Sequence, residues 1–189
     1  VRTIGPTLGA ENIRRSLVAA LSGLALVAVF MVVAYRLPGA VAVMALSLYA
    51  LFNLAAYALI PVTLTLPGIA GFILSIGMAV DANVLIFERI KDELRRGNTL
   101  IRSIDTGFSE AFSSIVDGHL TTLISCAALF ILGTGLVKGF AATLGIGVLL
   151  SLFTALTCTR TLLRFLMGYA GLRRASNFLP TGQLPSPTA

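Results

Sequence analysis

The sequence predicts an all-α integral membrane protein, a bundle of about five transmembrane helices. Three observations carry this. The chain of 189 residues is 57% hydrophobic and only 12% charged, where a soluble domain carries about 25%. Its mean hydropathy is +0.94. Uncharged runs of membrane-crossing length also recur, since residues 16–35, 37–80, 118–137 and 139–159 hold no Asp, Glu, Lys or Arg. A chain this poor in charge cannot cover a globular surface in water; the alternative is an unusually apolar soluble core.

Residues 1–12 are expected to be an extracytoplasmic lead-in segment, rich in turn formers at Gly5-Pro6-Thr7-Leu8-Gly9. The sequence opens at Val1 without a methionine or a visible signal peptide, as a fragment or a processed chain would. A transmembrane helical domain is expected over 13–166. Each span needs about 20 apolar residues, which places spans near 14–36, 38–60, 65–88, 113–133 and 138–164. The run 37–80 is long enough for two spans and divides best at Ile60-Pro61-Val62-Thr63, where proline favours a turn. Short turns at Arg36-Leu37-Pro38-Gly39 and over 133–138 make neighbouring spans antiparallel.

The longest connection, 89–112, opens with Arg89, Lys91, Asp92, Glu93, Arg95 and Arg96. Leu100, Ile104, Phe108 and Phe112 then recur every four residues, which draws one apolar stripe along a helix. This predicts a cytoplasmic amphipathic helix, lying at the membrane surface or packed on the ends of the bundle. The tail 167–189 is rich in Pro, Ser and Thr and is expected to be a disordered cytoplasmic segment.

The formal net charge is +6. In a soluble protein this would suggest nucleic acid, but here the basic residues flank apolar spans and read as orientation signals. Arg36, Arg89, Lys91, Arg95, Arg96, Arg102, Arg160, Arg164, Arg173 and Arg174 fall at one set of helix ends; Arg2, Arg14, Arg15 and Lys138 fall at the other. The richer set belongs in the cytoplasm. The N-terminus is then extracytoplasmic and the C-terminus cytoplasmic, in keeping with an odd number of spans.

Asp81 is the most informative residue. It lies inside the third predicted span, where a charge costs about 2.5–3.5 kcal/mol to insert. Such groups usually line an ion or proton path, and removal from water favours the neutral form of a carboxyl. A protonated carboxyl making one interhelical hydrogen bond is the structural alternative. Asp117 and His119 lie near the cytoplasmic end of the fourth span, at a depth within about 3 Å of Asp81. Asp117 is read either as a second member of a proton relay facing Asp81 or as a helix N-cap. His119 is read as a proton shuttle or as an interfacial histidine of no consequence. Asn83, Glu88, Arg89 and Thr121 are the supporting polar groups.

Small residues at four-residue spacing, Gly71, Ser75 and Ala79 on one span and Gly135, Gly139, Thr143 and Gly147 on another, allow close helix packing in lipid. Cys126 and Cys158 lie in apolar runs and read as small buried hydrophobes. No nucleophile–base constellation, metal-ligand cluster or phosphate loop is visible. The expectation is a chain that is not an enzyme and needs no metal or cofactor.

Several stretches together resemble the SecD/SecF protein-export family, within the RND-type superfamily, over about residues 5–165. They are 5–9, Thr65-Leu66-Pro67-Gly68-Ile69-Ala70-Gly71, the run 77–90 around Asp81, the run 117–123 and the run 133–141. The resemblance is to the SecD half, and it implies an RND-transporter-like bundle holding spans two to six of a six-span subunit. The first span and a large extracytoplasmic domain would be missing. It further implies a bacterial inner-membrane location and use of the proton-motive force to assist protein export. The implied partners are a SecF-like subunit, the SecYEG channel, SecA, the translocating polypeptide and the lipid bilayer, with no nucleic acid. The aspartate matching Asp81 is implied in proton passage. One departure stands out: the family commonly has Asp-Ala-Asn where this chain has Asp117-Gly118-His119. The other functions weighed are an RND-type proton-coupled exporter of lipids or small molecules, and a purely structural membrane scaffold.

Overall fold

The structure is a computed structural model, and it describes residues 6–60 and 65–168. The predicted tail from residue 169 onward, with Arg173 and Arg174, and the start of the lead-in segment lie outside the described residues. Everything described is helix or tight turn.

The first helical stretch, Pro6–Leu59, is two helices that meet at Arg36, whose backbone is non-helical at φ 50°, ψ −115°. We number them α1 (6–35) and α2 (37–59). A non-glycine residue at positive φ is strained, and the reward is a reversal of direction within one residue. Pro38 then sits at the start of α2, where its missing N–H costs nothing. Gly39 packs against the Met31 carbonyl, and a Cβ there would lie 3.0 Å from the Val32 Cα. The short turn predicted at 36–39 is therefore present. The residues from Pro6 to 12, expected as a turn-rich lead-in, instead form the first turns of α1, because Pro6 opens the helix rather than breaking it.

Helix α3 runs Leu66–Arg95, capped by the Thr65 hydroxyl, which accepts from the Gly68 N–H at 3.2 Å. Helix α4 runs Leu100–Leu132. Helix α5, Gly135–Phe153, passes through a π-helical turn at Thr154–Thr159 into α6, Arg160–Met167. Four helical stretches are long and apolar enough to cross a membrane: Ile13–Leu59, Leu66–Arg95, Leu100–Leu132 and Gly135–Met167. With the reversal at Arg36 dividing the first in two, the described residues supply five passes.

The expected connection 89–112 shrinks to the turn 96–99. Helix α3 continues past residue 88 and α4 begins well before 113, so the apolar stripe of residues 100–112 is not a separate element. It is the first part of α4, with Ile104 and Phe108 buried against α3 and the end of the last rod. The turn is stitched locally. Gly97 takes φ +85°, which glycine adopts without strain. The buried Glu93 carboxylate accepts from the Arg96 guanidinium and from Asn98 Nδ2, the latter at 2.6 Å.

Helices α3, α4 and α5 pack most closely together. Their contact is made by the small residues that the spacing marked. A Cβ on Gly71 would come within 2.7 Å of Thr143 Oγ1 and 3.0 Å of the Phe140 carbonyl, and Gly147 packs directly on Ser75. Near the basic end, a Cβ on Gly107 would meet the backbone N of Ile90 at 2.9 Å. Backbones this close gain dispersion contact that lipid does not supply. The described basic residues expected to share one end do so. Lys91 Nζ lies 4.1 Å from the centre of the Tyr35 ring, and Asp105 on α4 is ion-paired to both Arg160 and Arg164 on α6.

Candidate functional site

Asp81 lies at mid-length of α3, which is about 45 Å long at 1.5 Å per residue. Glu88 opens the charged end of α3 seven residues, about 10 Å, past Asp81, so the carboxylate falls in the basic-end half of the apolar stretch. Its side chain is exposed on the outer surface of the bundle, beside a small cavity between α3 and α4. That cavity, about 120 Å³, is lined by Met78, Asp81, Ala82, Leu85, Ser114, Ile115, Gly118 and His119.

The cavity lining thus sets His119 beside Asp81 across the contact between α3 and α4. His119 faces Asp81's cavity, while Asp117 is turned outward and exposed. Asp117 is also no N-cap: α4 begins at Leu100 behind Thr99, and Asp117 is mid-helix. Its backbone carbonyl accepts from the Thr121 hydroxyl at 2.9 Å. Ser114, Asp117, Thr121 and Ser125 are all exposed and follow one another at three- or four-residue steps, with exposed Gly118 beside Asp117. They draw a polar stripe along the outer side of α4, next to Asp81. Neither Asp81 nor Asp117 makes a side-chain hydrogen bond or ion pair among the described residues.

His119 is buried and held at both ring nitrogens. Nδ1 lies 2.8 Å from the Ile115 carbonyl, which can only accept, so Nδ1 carries a proton. Nε2 lies 2.8 Å from Ser151 Oγ on α5, and that hydroxyl also lies 2.9 Å from the Val148 carbonyl.

Asn83 is buried on the opposite side of α3 from Asp81. Its Nδ2 donates to the Ala79 carbonyl at 2.9 Å, and its Oδ1 accepts from Thr159 Oγ1 at 2.8 Å. Thr159 closes the π-helical turn, a geometry that recurs at functional sites. Glu88 is ion-paired to Lys91 at 3.0 Å, close to the basic end, and Arg89 is half-buried one residue on. Neither reaches the cavity. Ser151 and Thr159 are the polar residues that sequence reasoning passed over. A lone Ser or Thr in an apolar span is too common to single out, and each matters only through a partner on another helix.

A family model described as "Protein export membrane protein SecD/SecF, C-terminal" matches residues 1–168. The chain belongs to the SecD/SecF family. Among the curated relatives of this SecD/SecF chain, the protein translocase subunit SecD of Prochlorococcus marinus is 78% identical over 185 residues, covering 98% of this chain and 37% of that protein. The corresponding subunit of a Synechocystis strain is 72% identical over 162 residues, covering 86% of this chain and 34% of that protein. Among solved structures, SecDF of Thermus thermophilus, a translocon-associated membrane protein, superposes with a TM-score of 0.85. It is 42% identical, covering 87% of this chain and 23% of that one. The chain therefore spans about a third of the length of the SecD subunits it matches, and its fold is that of the SecDF membrane region. The chain is therefore a multi-pass membrane protein of the SecD/SecF family.

Proposed function

We propose that this chain is the membrane-embedded part of a SecD-type export subunit, and that Asp81 carries protons down the proton-motive force to power it. The observation that supports this reading is the position of one carboxylate. Asp81 sits within the apolar stretch of α3 on the outside of the bundle, where facing lipid would cost up to about 2.5–3.5 kcal/mol. That cost is avoided if a second helical bundle covers the carboxylate. The neighbouring polar stripe on α4, with Asp117 and Thr121, supplies the rest of such a contact surface.

The covering partner is a SecF-like subunit, and the proton path runs along the seam between the two. Asp117 is its second carboxylate, nearer the basic end. Protonation of Asp81 neutralises the seam and deprotonation charges it, and each state favours a different packing of the two halves. Portions of the protein beyond this chain pass that change to a polypeptide leaving the SecYEG channel after the SecA-driven step. The basic end, with Arg36, Lys91, Arg95, Arg96, Arg160 and Arg164, faces the bacterial cytoplasm.

The test is Asp81→Asn in the full-length protein within its complex. Asparagine is nearly isosteric and holds no exchangeable charge. Proton-dependent stimulation of export into inverted vesicles is expected to fall to the level seen without the subunit, with membrane insertion and partner binding unchanged. Undiminished stimulation would refute the assignment.

A further inference from the structure

The seam reading leaves one buried ionisable group without a task. His119 is buried apart from its edge on the cavity, yet its hydrogen bonds are complete in either protonation state. When the ring is neutral, Nδ1–H donates to the Ile115 carbonyl and the Ser151 hydroxyl donates to Nε2. When the ring is charged, Nε2–H donates to Ser151 Oγ, and the hydroxyl proton turns to the Val148 carbonyl. The distances of 2.8, 2.8 and 2.9 Å fit both arrangements without moving a heavy atom. Rotation of one hydroxyl is the whole reorganisation. A histidine kept only for packing needs one set of partners; this one has two.

We propose that His119 and Ser151 form an internal proton-holding pair, and that the pair exchanges a proton with Asp81 through the cavity that the His119 ring and the Asp81 carboxyl both line. The inference rests on the proposed role of Asp81 and extends it to a group inside this chain. The exchange is balanced. The Asp81 carboxyl loses a proton and becomes carboxylate, the neutral imidazole gains it at Nε2 and becomes imidazolium, and the net charge of the cavity is unchanged. The cavity of about 120 Å³ is large enough to hold water between the two groups. Each charge would then be left facing the other rather than facing hydrocarbon alone.

The surroundings add no competing charge. From α3 the group facing the cavity is Asp81. On α4 itself Asp117 is two residues away and points outward. Helix α5 contributes Ser151, and its one charged residue, Lys138, lies 13 positions away, about 20 Å along the axis. Arg160 and Arg164, beyond the π-helical turn, are held by Asp105.

Linkage makes the test reciprocal. In the full-length complex with its partner, ¹⁵N spectra of His119 are followed against pH alongside the infrared carboxyl band of Asp81. Asp81→Asn is expected to lower the pH at which His119 charges by about one unit. His119→Gln should raise the pH at which Asp81 ionises by the same amount, a tenfold change in each proton affinity. Ser151→Ala, which keeps the ring but removes the partner of Nε2–H, is expected to make His119 harder to charge. A His119 that stays neutral from pH 5 to 9, or that titrates with no response to Asp81→Asn, overturns the inference. The export assay on Asp81→Asn is read separately, so loss of the coupling with export still dependent on Asp81 would remove the pair and leave the proposed function standing.

Discussion

At residue scale, the interior of this bundle is specified by polar atoms that pair across helices. Tyr49 on α2 donates its hydroxyl to Ser75 Oγ at 2.6 Å, and Ser75 in turn donates to the Phe72 carbonyl at 2.7 Å. Tyr57 donates to the Thr143 carbonyl at 3.1 Å. In lipid the alternative to each bond is an unpaired group in hydrocarbon, although the measured worth of such bonds averages only about 0.6 kcal/mol. The asymmetric case is more telling. Thr159→Val removes the donor to Asn83 Oδ1 and leaves that oxygen buried with nothing to accept. A loss of about 1–2 kcal/mol is expected, measured by denaturant titration in micelles, whereas Tyr49→Phe should cost no more than about 1 kcal/mol. Asp81 announces itself in the sequence because a charge in an apolar run has no cheap explanation. Ser151 and Thr159 do not, since an uncharged hydroxyl can satisfy its own helix, and only the fold shows that these two reach another one.

At the scale of elements, close approach is set by glycine. Gly147 lies against Ser75 and would place a Cβ 3.0 Å from the Tyr49 hydroxyl. Gly147→Leu therefore pushes α3 away from α5 and breaks the Tyr49–Ser75 pair, with an expected loss of about 1–3 kcal/mol. Gly23→Ala is the matching control. Nothing lies within 4 Å of a Cβ there, so the substitution should be neutral or stabilise α1 by up to about 1 kcal/mol. Thermal melts in detergent distinguish the two. The sequence made these contacts legible because small residues at four-residue spacing have few other uses in lipid. Helix ends were less legible. The charged residues Glu88 to Arg96 suggested that α3 stops at the membrane surface, yet a helix can leave the bilayer and keep its hydrogen bonds. Hydropathy locates the hydrocarbon, and the cap residues Thr65 and Gly97 locate the helix. The same confusion made residues 100–112 look like an element of their own. Rotation was not legible either: spacing does not show that His119 lines the cavity beside Asp81 while Asp117, two residues earlier, is exposed outside it.

At the scale of the whole molecule, the bundle is unfinished on one side. The outer face of α3 and α4 carries Asp81 and the polar stripe, while the upper half of α1 exposes Leu17, Leu21, Leu26, Val29, Phe30 and Val33, a surface suited to lipid. A partner bundle belongs on the polar side. In a background where Cys126 and Cys158 are replaced by alanine, a cysteine introduced by Thr121→Cys is expected to cross-link to the SecF-like subunit. One introduced by Leu26→Cys, on the apolar face, should not. Equal cross-linking at both positions, read on denaturing gels, would place the partner elsewhere.

The length of α3 beyond the hydrocarbon has a mechanical meaning. From Asp81 to Arg95 is 14 residues, an arm of about 21 Å. At the tip of that arm Arg96 pairs with Glu93 on α3 and lies 3.9 Å from Glu110 on α4, which ties the two helices into one stiff lever. A tilt of about 5° pivoting at the level of Asp81 would swing the cytoplasmic tip by about 2 Å. A change too small to see where the charge resides is thus delivered, enlarged, to whatever rests against the turn.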